Sequence, residues 1–443
     1  MAFTPVPFDA KVVASRISEC PMPIGIASIR EVNKVVNLIE QDLGVRYIRM
    51  EFGIPGLSLS PIALDGEKEA LVEHQLGSVY PSFEGAPELK QATADFCHAF
   101  LNLKIDPKCC IPTNGAMQGG FVSIGVAGNI TAGKDTILFL MPGFPVNQMQ
   151  VRLWGLKMDT LDLYDHRGEA LLQALENRFA KGDVGGLLWS SPNNPTWVCL
   201  KEEELQGIGE LCTKYDVMAI EDYAYLGMDF RQNYGVPYKP PYAPTVAHYT
   251  DNYVILISGS KMFSYAGQRI GVMVISPAYF ERTSAHLKQR FIVDNVGYSF
   301  IHPGVYATTA GVSQGAQHGL AALLRASVAG EYDFLKVTRE YADRAAAMKK
   351  AFLDNGFQLV YDNDLGEPLA DGFYFTLSYP NMTGPELVEK LLYYGVSAIT
   401  LKTAGSVREE GIRACVSLTP VDRVDELAYR MQQFHADHPV ESQ

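Results

Sequence analysis

Ser258-Gly-Ser-Lys261-Met-Phe-Ser-Tyr-Ala-Gly-Gln-Arg269-Ile-Gly271 lies between two apolar runs, Tyr253–Ile257 and Val272–Ile275. Runs of that length and composition read as buried strands, so Lys261 sits between two candidate core elements. Burying a free ammonium there is costly. The cost disappears if the amine is neutral and bonded covalently to something. A desolvated lysine beside another cation loses its proton below the ordinary value and attacks a carbonyl, forming a Schiff base. Arg269, eight residues on, is the candidate cation and also a candidate phosphate ligand. The alternative for this stretch alone is a surface turn with a solvated lysine.

Outward from that stretch, the chain has 443 residues, which predicts two domains. Apolar residues make up 47% and charged residues 20%, ordinary for a soluble globular enzyme. With 37 basic against 50 acidic side chains the formal charge is -13, and no basic block interrupts it. That argues against nucleic acid as a partner and leaves room for a local phosphate pocket. No run approaches the ~20 apolar residues that cross a bilayer, so no membrane partner is expected. Met1 to Ala10 lacks the apolar core of a secretory signal. Seven cysteines without CxxC spacing read as free thiols, which predicts a cytoplasmic protein. Cys109-Cys110, the one close pair, is read as structural, and no metal-ligand set is expected.

Ser28-Ile-Arg-Glu31 is a capping box opening a helix that ends near Gly44. A short strand follows at Tyr47–Gly53, then a helix over Glu88–Leu101. From Ile111 short apolar runs alternate with helical stretches. Expected strands are Thr136–Leu140, Gly186–Trp189, Val217–Ile220, Tyr253–Ile257 and Val272–Ile275, with helices over Met117–Ala127, Glu169–Ala180 and Glu202–Lys214 among them. A further helix is expected over Tyr279–Gln289. Such alternation predicts an α/β fold, a mainly parallel sheet sandwiched by helices, with its ligand beyond the carboxyl ends of the strands. Asn194, Asp222 and Ser258 each follow one of these strands. After about residue 305 the texture is helical, with Phe334–Asn355 expected as the longest helix there. Phe373–Leu377 and Ala414–Leu418 are read as strands, Thr383 as a helix cap, and Thr419-Pro420 as the start of a last helix, fraying from about Asp437. This part reads as a smaller α+β domain.

Thr113-Asn-Gly-Ala-Met-Gln-Gly119 enters a helix, where exposed backbone N–H groups suit a phosphate. Ser190-Ser-Pro-Asn-Asn-Pro-Thr196 places an amide after a strand. In order the set reads Asn194, Asp222-x-x-Tyr225, Ser258-x-Ser-Lys261 and Arg269. Here the chain resembles the fold-type I pyridoxal-phosphate enzymes, specifically the class I/II aminotransferases of the aspartate aminotransferase superfamily. Gly53-x-Pro, Tyr80-x-x-x-Glu-Gly-x-Pro-Glu-Leu89, Pro142-Gly-Phe144, Asp371-Gly-Phe-Tyr-Phe375 and Gly411-Ile-Arg-Ala-Cys-Val416 are similar to further family landmarks, so the likeness spans nearly the whole chain.

The resemblance implies pyridoxal 5'-phosphate held on Lys261, which also serves as general base and acid. It implies Asp222 on the pyridine nitrogen and Tyr225 with Asn194 on the ring hydroxyl. Phe144 would stack on the ring. Ser258, Arg269 and the backbone at Ala116 and Met117 would hold the phosphate, with Tyr80 from a second subunit. Arg413 would clamp the substrate carboxylate, with Gly53 and Asn194 also binding the substrate. An amino group would pass between an L-amino acid and a 2-oxo acid by a ping-pong route in a homodimer with shared active sites. The expected division is an N-terminal segment 1–55 packing with the small domain, a large cofactor-binding domain 56–305 and a small domain 306–443.

Three departures from the family pattern stand out. Trp197 replaces the usual glycine after Asn-Pro-Thr, Phe144 replaces a tyrosine or tryptophan, and no second substrate arginine stands near Asn295–His302. Arg290 is read as a surface residue. The rival readings are a carbon–sulfur beta-lyase on the same scaffold, and a cofactor-binding regulator or scaffold without turnover. A regulator would need a DNA-binding domain ahead of the first landmark.

Overall fold

The computed structural model describes residues 3–440. Its strands, in chain order, begin with β1 (Ile48–Arg49), β2 (Cys110–Thr113), β3 (Thr136–Met141) and β4 (Lys157–Asp162). Then come β5 (Val184–Ser190), β6 (Met218–Tyr223), β7 (Tyr253–Ser258), β8 (Gly271–Ile275) and β9 (Gln358–Leu359). The last four are β10 (Tyr374–Ser378), β11 (Val396–Ser397), β12 (Ile399–Thr400) and β13 (Ile412–Cys415). Seven form one sheet in the order β2-β8-β7-β6-β5-β3-β4. Within it β8 alone runs against its neighbours β7 and β2, so the sheet is mainly parallel, as the alternating pattern predicts.

Both faces of this sheet are covered, which is why its strands read as continuous apolar runs. Val254 and Leu256 of β7 pack on one side with Val122 and Ile124 of the helix Gly115–Ala127. Ile255 and Ile257 face the other way, toward Leu205 and Leu320 of the helices Glu202–Lys214 and Gln314–Val328. Successive strand residues alternate faces, so one run of five apolar residues serves two cores. At ~25 cal/mol per Å² of apolar surface, that double burial is the main force holding the strand ends in register.

A second, antiparallel sheet has the order β12-β13-β10-β9. The helix Glu340–Leu353 packs on its β10, and Val424–Asp437 packs on that helix. The N-terminal segment reaches this part of the chain: β1 pairs in parallel with β11, Ile48 opposite Val396. The helix Ile29–Leu43 precedes it, with the Ser28 N–H donating to Glu31 Oε2 at 2.8 Å and Gly44 ending it at φ +63°. Among the described residues no helix is long and apolar enough to cross a membrane.

Several expected boundaries differ. β2 contains Pro112, which argues against a central strand, but it bonds only to β8 at the sheet edge, where proline is tolerated. β4 is the opposite edge and carries polar, largely exposed residues, so it has no apolar run to detect. Phe334–Asn355 is two helices, Phe334–Thr338 and Glu340–Leu353. The Thr338 hydroxyl donates to the Phe334 carbonyl at 2.9 Å and competes with the backbone ladder there. The 15-residue helix Gln314–Val328 is therefore longer. Tyr279–Gln289 is likewise divided into Pro277–Glu281 and Ala285–Phe291, because Ser284 caps Leu287 N–H at 3.1 Å and restarts the helix. The strand expected at Ala414–Leu418 is Ile412–Cys415, paired along β10. The last helix runs to Asp437, where fraying is expected to begin.

Candidate active site

Strand register brings the site together. Ser190 at the end of β5 lies opposite Asp222 in β6, and Asp222 opposite Leu256. Ser258, ending β7, lies opposite Gly271, which also faces Thr113 at the end of β2. Asp222 is thus inside its strand and not after it, one residue from the end. A cavity of about 580 Å³ opens along this edge. Phe52, Gly53 and Ile54 bound it from the N-terminal segment, and Tyr374 and Arg413 from the smaller sheet.

Lys261 lies in the short helical turn Gly259–Met262, whose cap Ser258 accepts the Ser260 N–H at 3.2 Å. Its Nζ donates to the Gly53 carbonyl and lies 5.5 Å over the Phe373 ring. Burial pulls this amine down to about 8, with Arg413 and then Arg269 adding to the effect. The spacing along the chain makes Arg269 the expected cation. In the folded protein desolvation does more than either arginine, and the more buried Arg413 does more than the exposed Arg269.

Asp222 lies deeper. Burial pushes its carboxyl up to about 6, and only the Ala224 N–H, 3.0 Å from Oδ1, works the other way. A carboxylate so placed is completed by a protonated nitrogen. At the other end, Gly115 opens its helix at φ +70°, and a Cβ there would come within 2.5 Å of Arg269 Nη2. The backbone therefore approaches the guanidinium as only glycine allows. Ala116 and Met117, in the first helical turn, line the cavity with N–H groups that have no intrahelical acceptor. Ser258 and Ser260 lie beside them, and Arg269 Nη1 donates to the Ala266 carbonyl at 2.8 Å. Exposed donors and one guanidinium suit a phosphate.

Tyr225 is buried and its hydroxyl donates to the Tyr374 hydroxyl at 3.0 Å. Asn194 lines the cavity with its backbone N–H on Ser190 Oγ at 3.3 Å. The turn that carries it is pinned by Asn193, which accepts from Thr196 Oγ1 at 2.9 Å and donates to the Pro142 carbonyl at 3.0 Å. Trp197 adopts φ +62°, the left-handed region that glycine enters freely and a bulky residue enters with strain. Its fully buried indole packs 5.2 Å from the Tyr225 ring. Arg413 is buried, donates through Nη2 to the Glu51 carbonyl and lies 5.0 Å over the Tyr374 ring. Its Nε is buried without a partner. Phe144, half-exposed, lines the cavity beside Met117.

Eleven of the twelve expected site residues thus meet in one cavity. Tyr80 does not: its side chain is 89% exposed on a loop outside it. Arg290 is exposed, 5.6 Å from the Trp154 ring, and is no part of the site. Cys109 and Cys110 are buried in the core, with burial pushing the first thiol up to about 11. Sequence reasoning misses Tyr374, although it lies inside the Asp371-Gly-Phe-Tyr-Phe375 landmark; strand alternation there could have aimed Tyr374 and Arg413 at the same face. It also misses Ser260, inside the quoted lysine stretch, and the apolar side chains Ile29, Phe52 and Ile54.

The residues present fit pyridoxal phosphate: an amine of lowered proton affinity for an aldehyde, a carboxylate in need of a ring N–H, and a helix start with a guanidinium for a phosphate. Residues 56–431 match the family described as aminotransferase class I and II. The chain is 23% identical over 365 residues to a probable aspartate aminotransferase of Methanocaldococcus jannaschii, covering 82% of this chain and 85% of that protein. It is 26% identical over 226 residues to a valine–pyruvate aminotransferase of Mycobacterium tuberculosis, 51% of this chain and 54% of the relative. In fold it resembles the crystal structure of an aspartate aminotransferase from Thermotoga maritima, with a TM-score of 0.74 at 19% identity over 95% of this chain and 99% of that one.

Proposed function

The chain belongs to the class I and II aminotransferases and is a pyridoxal-phosphate-dependent enzyme of amino transfer, and from that premise we propose that the cavity around Lys261 is its active site. The observation that carries the assignment is the Lys261 amine of lowered proton affinity, sharing one cavity with the Asp222 carboxylate and the guanidinium groups of Arg269 and Arg413. When bound, the cofactor supplies an electron sink for the bond broken at the substrate Cα and carries the amino group between the two half-reactions.

Lys261 would hold the cofactor covalently, Asp222 its ring nitrogen, and Arg269, Ser258 and the N–H groups of Ala116 and Met117 its phosphate. Phe144 would stack on the ring, and Tyr225 and Asn194 would meet its hydroxyl. Arg413 would bind the substrate carboxylate through two parallel N–H bonds, fixing the Cα–H bond toward Lys261 Nζ. With its proton affinity lowered, Nζ is neutral over part of the neutral range and can take the Cα proton. Phe52 and Ile54 would exclude water from that proton.

We assign residues 1–55 to a segment that packs with the smaller unit, 56–305 to the cofactor-binding unit and 306–443 to the smaller unit. The pairing of β1 with β11 supports the first assignment. The helix Gln314–Val328, which packs on Pro61–Lys68 and Pro87–Leu101, acts as the connection lying on the larger unit. The exposed Tyr80 supports a homodimer in which this side chain reaches the other copy's phosphate site. Seven free thiols support a cytoplasmic protein.

Lys261→Ala tests the assignment. It should abolish the visible absorbance of the covalently held cofactor and lower kcat at least ~1000-fold, in line with removal of a general base and covalent anchor. Turnover within tenfold of the parent enzyme would refute the role given to Lys261.

A further inference from the structure

Tyr374 reaches the cavity from β10 of the smaller sheet, and its hydroxyl lies 3.0 Å from that of Tyr225, which follows β6 of the larger one. Both side chains are buried, and Trp197 packs edge-on to the two rings. The Tyr374 hydroxyl has a seat made for it: a Cβ at Gly53 would overlap its oxygen, so the chain carries no side chain there. Burial holds both phenols neutral. The Arg413 guanidinium, 5.0 Å over the Tyr374 ring, works against burial on each and so strengthens each O–H as a donor. Cys415 and Tyr341, the other titratable groups that bear on the pair, are held neutral by burial. All these contacts lie within one copy of the chain, so they stand whatever a second copy adds to the cavity.

A tyrosine hydroxyl has one proton and two lone pairs. As the pair stands, Tyr225 donates to Tyr374. On the function proposed above, Tyr225 serves the ring oxygen of the cofactor, and its single proton goes there. The pair then keeps its hydrogen bond in one way: Tyr374 donates and Tyr225 accepts. Among the described residues the Tyr374 proton has no other acceptor. A hydroxyl that accepts a hydrogen bond is polarised and donates its own more strongly. We propose that Tyr374 is a positioning residue that acts through Tyr225, turning the Tyr225 proton onto the cofactor's ring oxygen and strengthening that bond. The inference rests on the amino-transfer reading and on Tyr225 as the residue that meets this oxygen. Two O–H groups rotate about their C–O bonds, and no covalent bond changes. A stronger donor stabilises the ring oxygen as an anion and loosens its hold on the proton of the neighbouring C=N bond to Lys261.

The test follows the visible absorbance of the holoenzyme against pH in the parent, Tyr374→Phe, Tyr225→Phe and the double variant. Tyr374→Phe removes the hydroxyl and keeps the ring between Trp197 and Arg413. The midpoint of the absorbance change should rise by about 0.5 pH units in Tyr374→Phe, the loss of a cooperative share of a charge-assisted hydrogen bond. It should rise further in Tyr225→Phe. Adding Tyr374→Phe to that variant should then move it no more, because the residue that transmits the effect is gone. Packing alone would give the same shift in both backgrounds. Equal shifts in the two backgrounds, a midpoint that stays or falls in Tyr374→Phe, or an absorbance that titrates in neither protein would overturn the inference and leave amino transfer standing. A parent protein that shows no visible absorbance after reconstitution with pyridoxal phosphate would overturn the amino-transfer reading, and this inference with it.

Discussion

The indole of Trp197 occupies the volume directly above Gly372: a Cβ at residue 372 would overlap Trp197 Cε2 and Cζ2. The two residues come from opposite sides of the site. Trp197 follows the Asn194 turn after β5, and Gly372 precedes β10, which carries Tyr374. The indole also packs edge-on to both Tyr225, at 5.2 Å, and Tyr374, at 6.2 Å. One side chain thus sets the spacing between the larger sheet's turn and the smaller sheet's hydroxyl pair.

Gly372→Ala should therefore destabilise the protein by about 2 kcal/mol, the cost of overpacking a fully buried contact. In a Trp197→Gly background the same substitution should cost little, because the overlapping ring is gone. Urea unfolding of the four proteins in this double-mutant cycle measures the coupling. Additive effects would show that the contact carries no strain.

Residue 197 should invert the usual order of truncations. Removing a buried indole costs about 3–5 kcal/mol. At φ +62° alanine keeps the backbone strain that glycine releases. Trp197→Gly should be about 1 kcal/mol more stable than Trp197→Ala, measured by the same unfolding experiment. Equal stability of the two variants would mean that the left-handed backbone is not retained.

Lys261 should titrate near pH 8 in the cofactor-free protein, against an ordinary 10.5, because burial penalises its charged form and Arg413 and Arg269 repel it. Only the neutral amine reacts with acetic anhydride. Its labelling rate, read by mass spectrometry of the Lys261 peptide, should rise tenfold for each step of one in pH below about 8 and level off above it. Arg413→Leu should move that plateau to higher pH. A rate still climbing between pH 9 and 10 in the parent protein would contradict the lowered value.

Glu221 makes stability fall as pH rises. It points away from the cavity, accepts from Thr245 Oγ1 at 2.7 Å and Val246 N–H at 3.2 Å, and leaves Oε1 buried without a partner. Burial pushes its carboxyl from 4.5 up to about 7, more than its hydrogen bonds, that to Thr245 foremost, lower it. The folded state holds this proton more tightly than the unfolded state. The resulting stability is complete below about pH 4.5 and is lost as pH climbs through about 7. Relative to Glu221→Gln, the parent should lose about 3 kcal/mol between pH 4.5 and 8, since a tenfold difference in proton affinity between folded and unfolded states corresponds to ~1.4 kcal/mol. Urea unfolding across that range reads the difference, and a flat difference would refute it.

Much of this architecture is legible along the chain. The strands β3, β5, β6, β7 and β8 are short apolar runs because both faces of the sheet are covered, and helices with strong caps, such as Ser28-Ile-Arg-Glu31, announce themselves locally. The order Asn194, Asp222, Tyr225, Ser258, Lys261, Arg269 is enough to group those residues, since each lies at or near the end of a strand and parallel strands end on one side. The edge strands β2 and β4 are not legible. One carries a proline and the other no apolar pattern, and only hydrogen bonding to a neighbour makes either a strand.

Residue identity and spacing along the chain determined the α/β class and grouped eleven of the residues that line the cavity. Tertiary structure alone decided what happens across it: that Arg413 more than Arg269 lowers the Lys261 proton affinity, that Tyr374 meets Tyr225, and that Trp197 closes on Gly372. The physical reason is that hydrogen bonding, desolvation and steric overlap depend on distances between side chains over a hundred residues apart. Those distances are set by how the smaller sheet docks over the strand ends, and no local pattern in the chain encodes that docking.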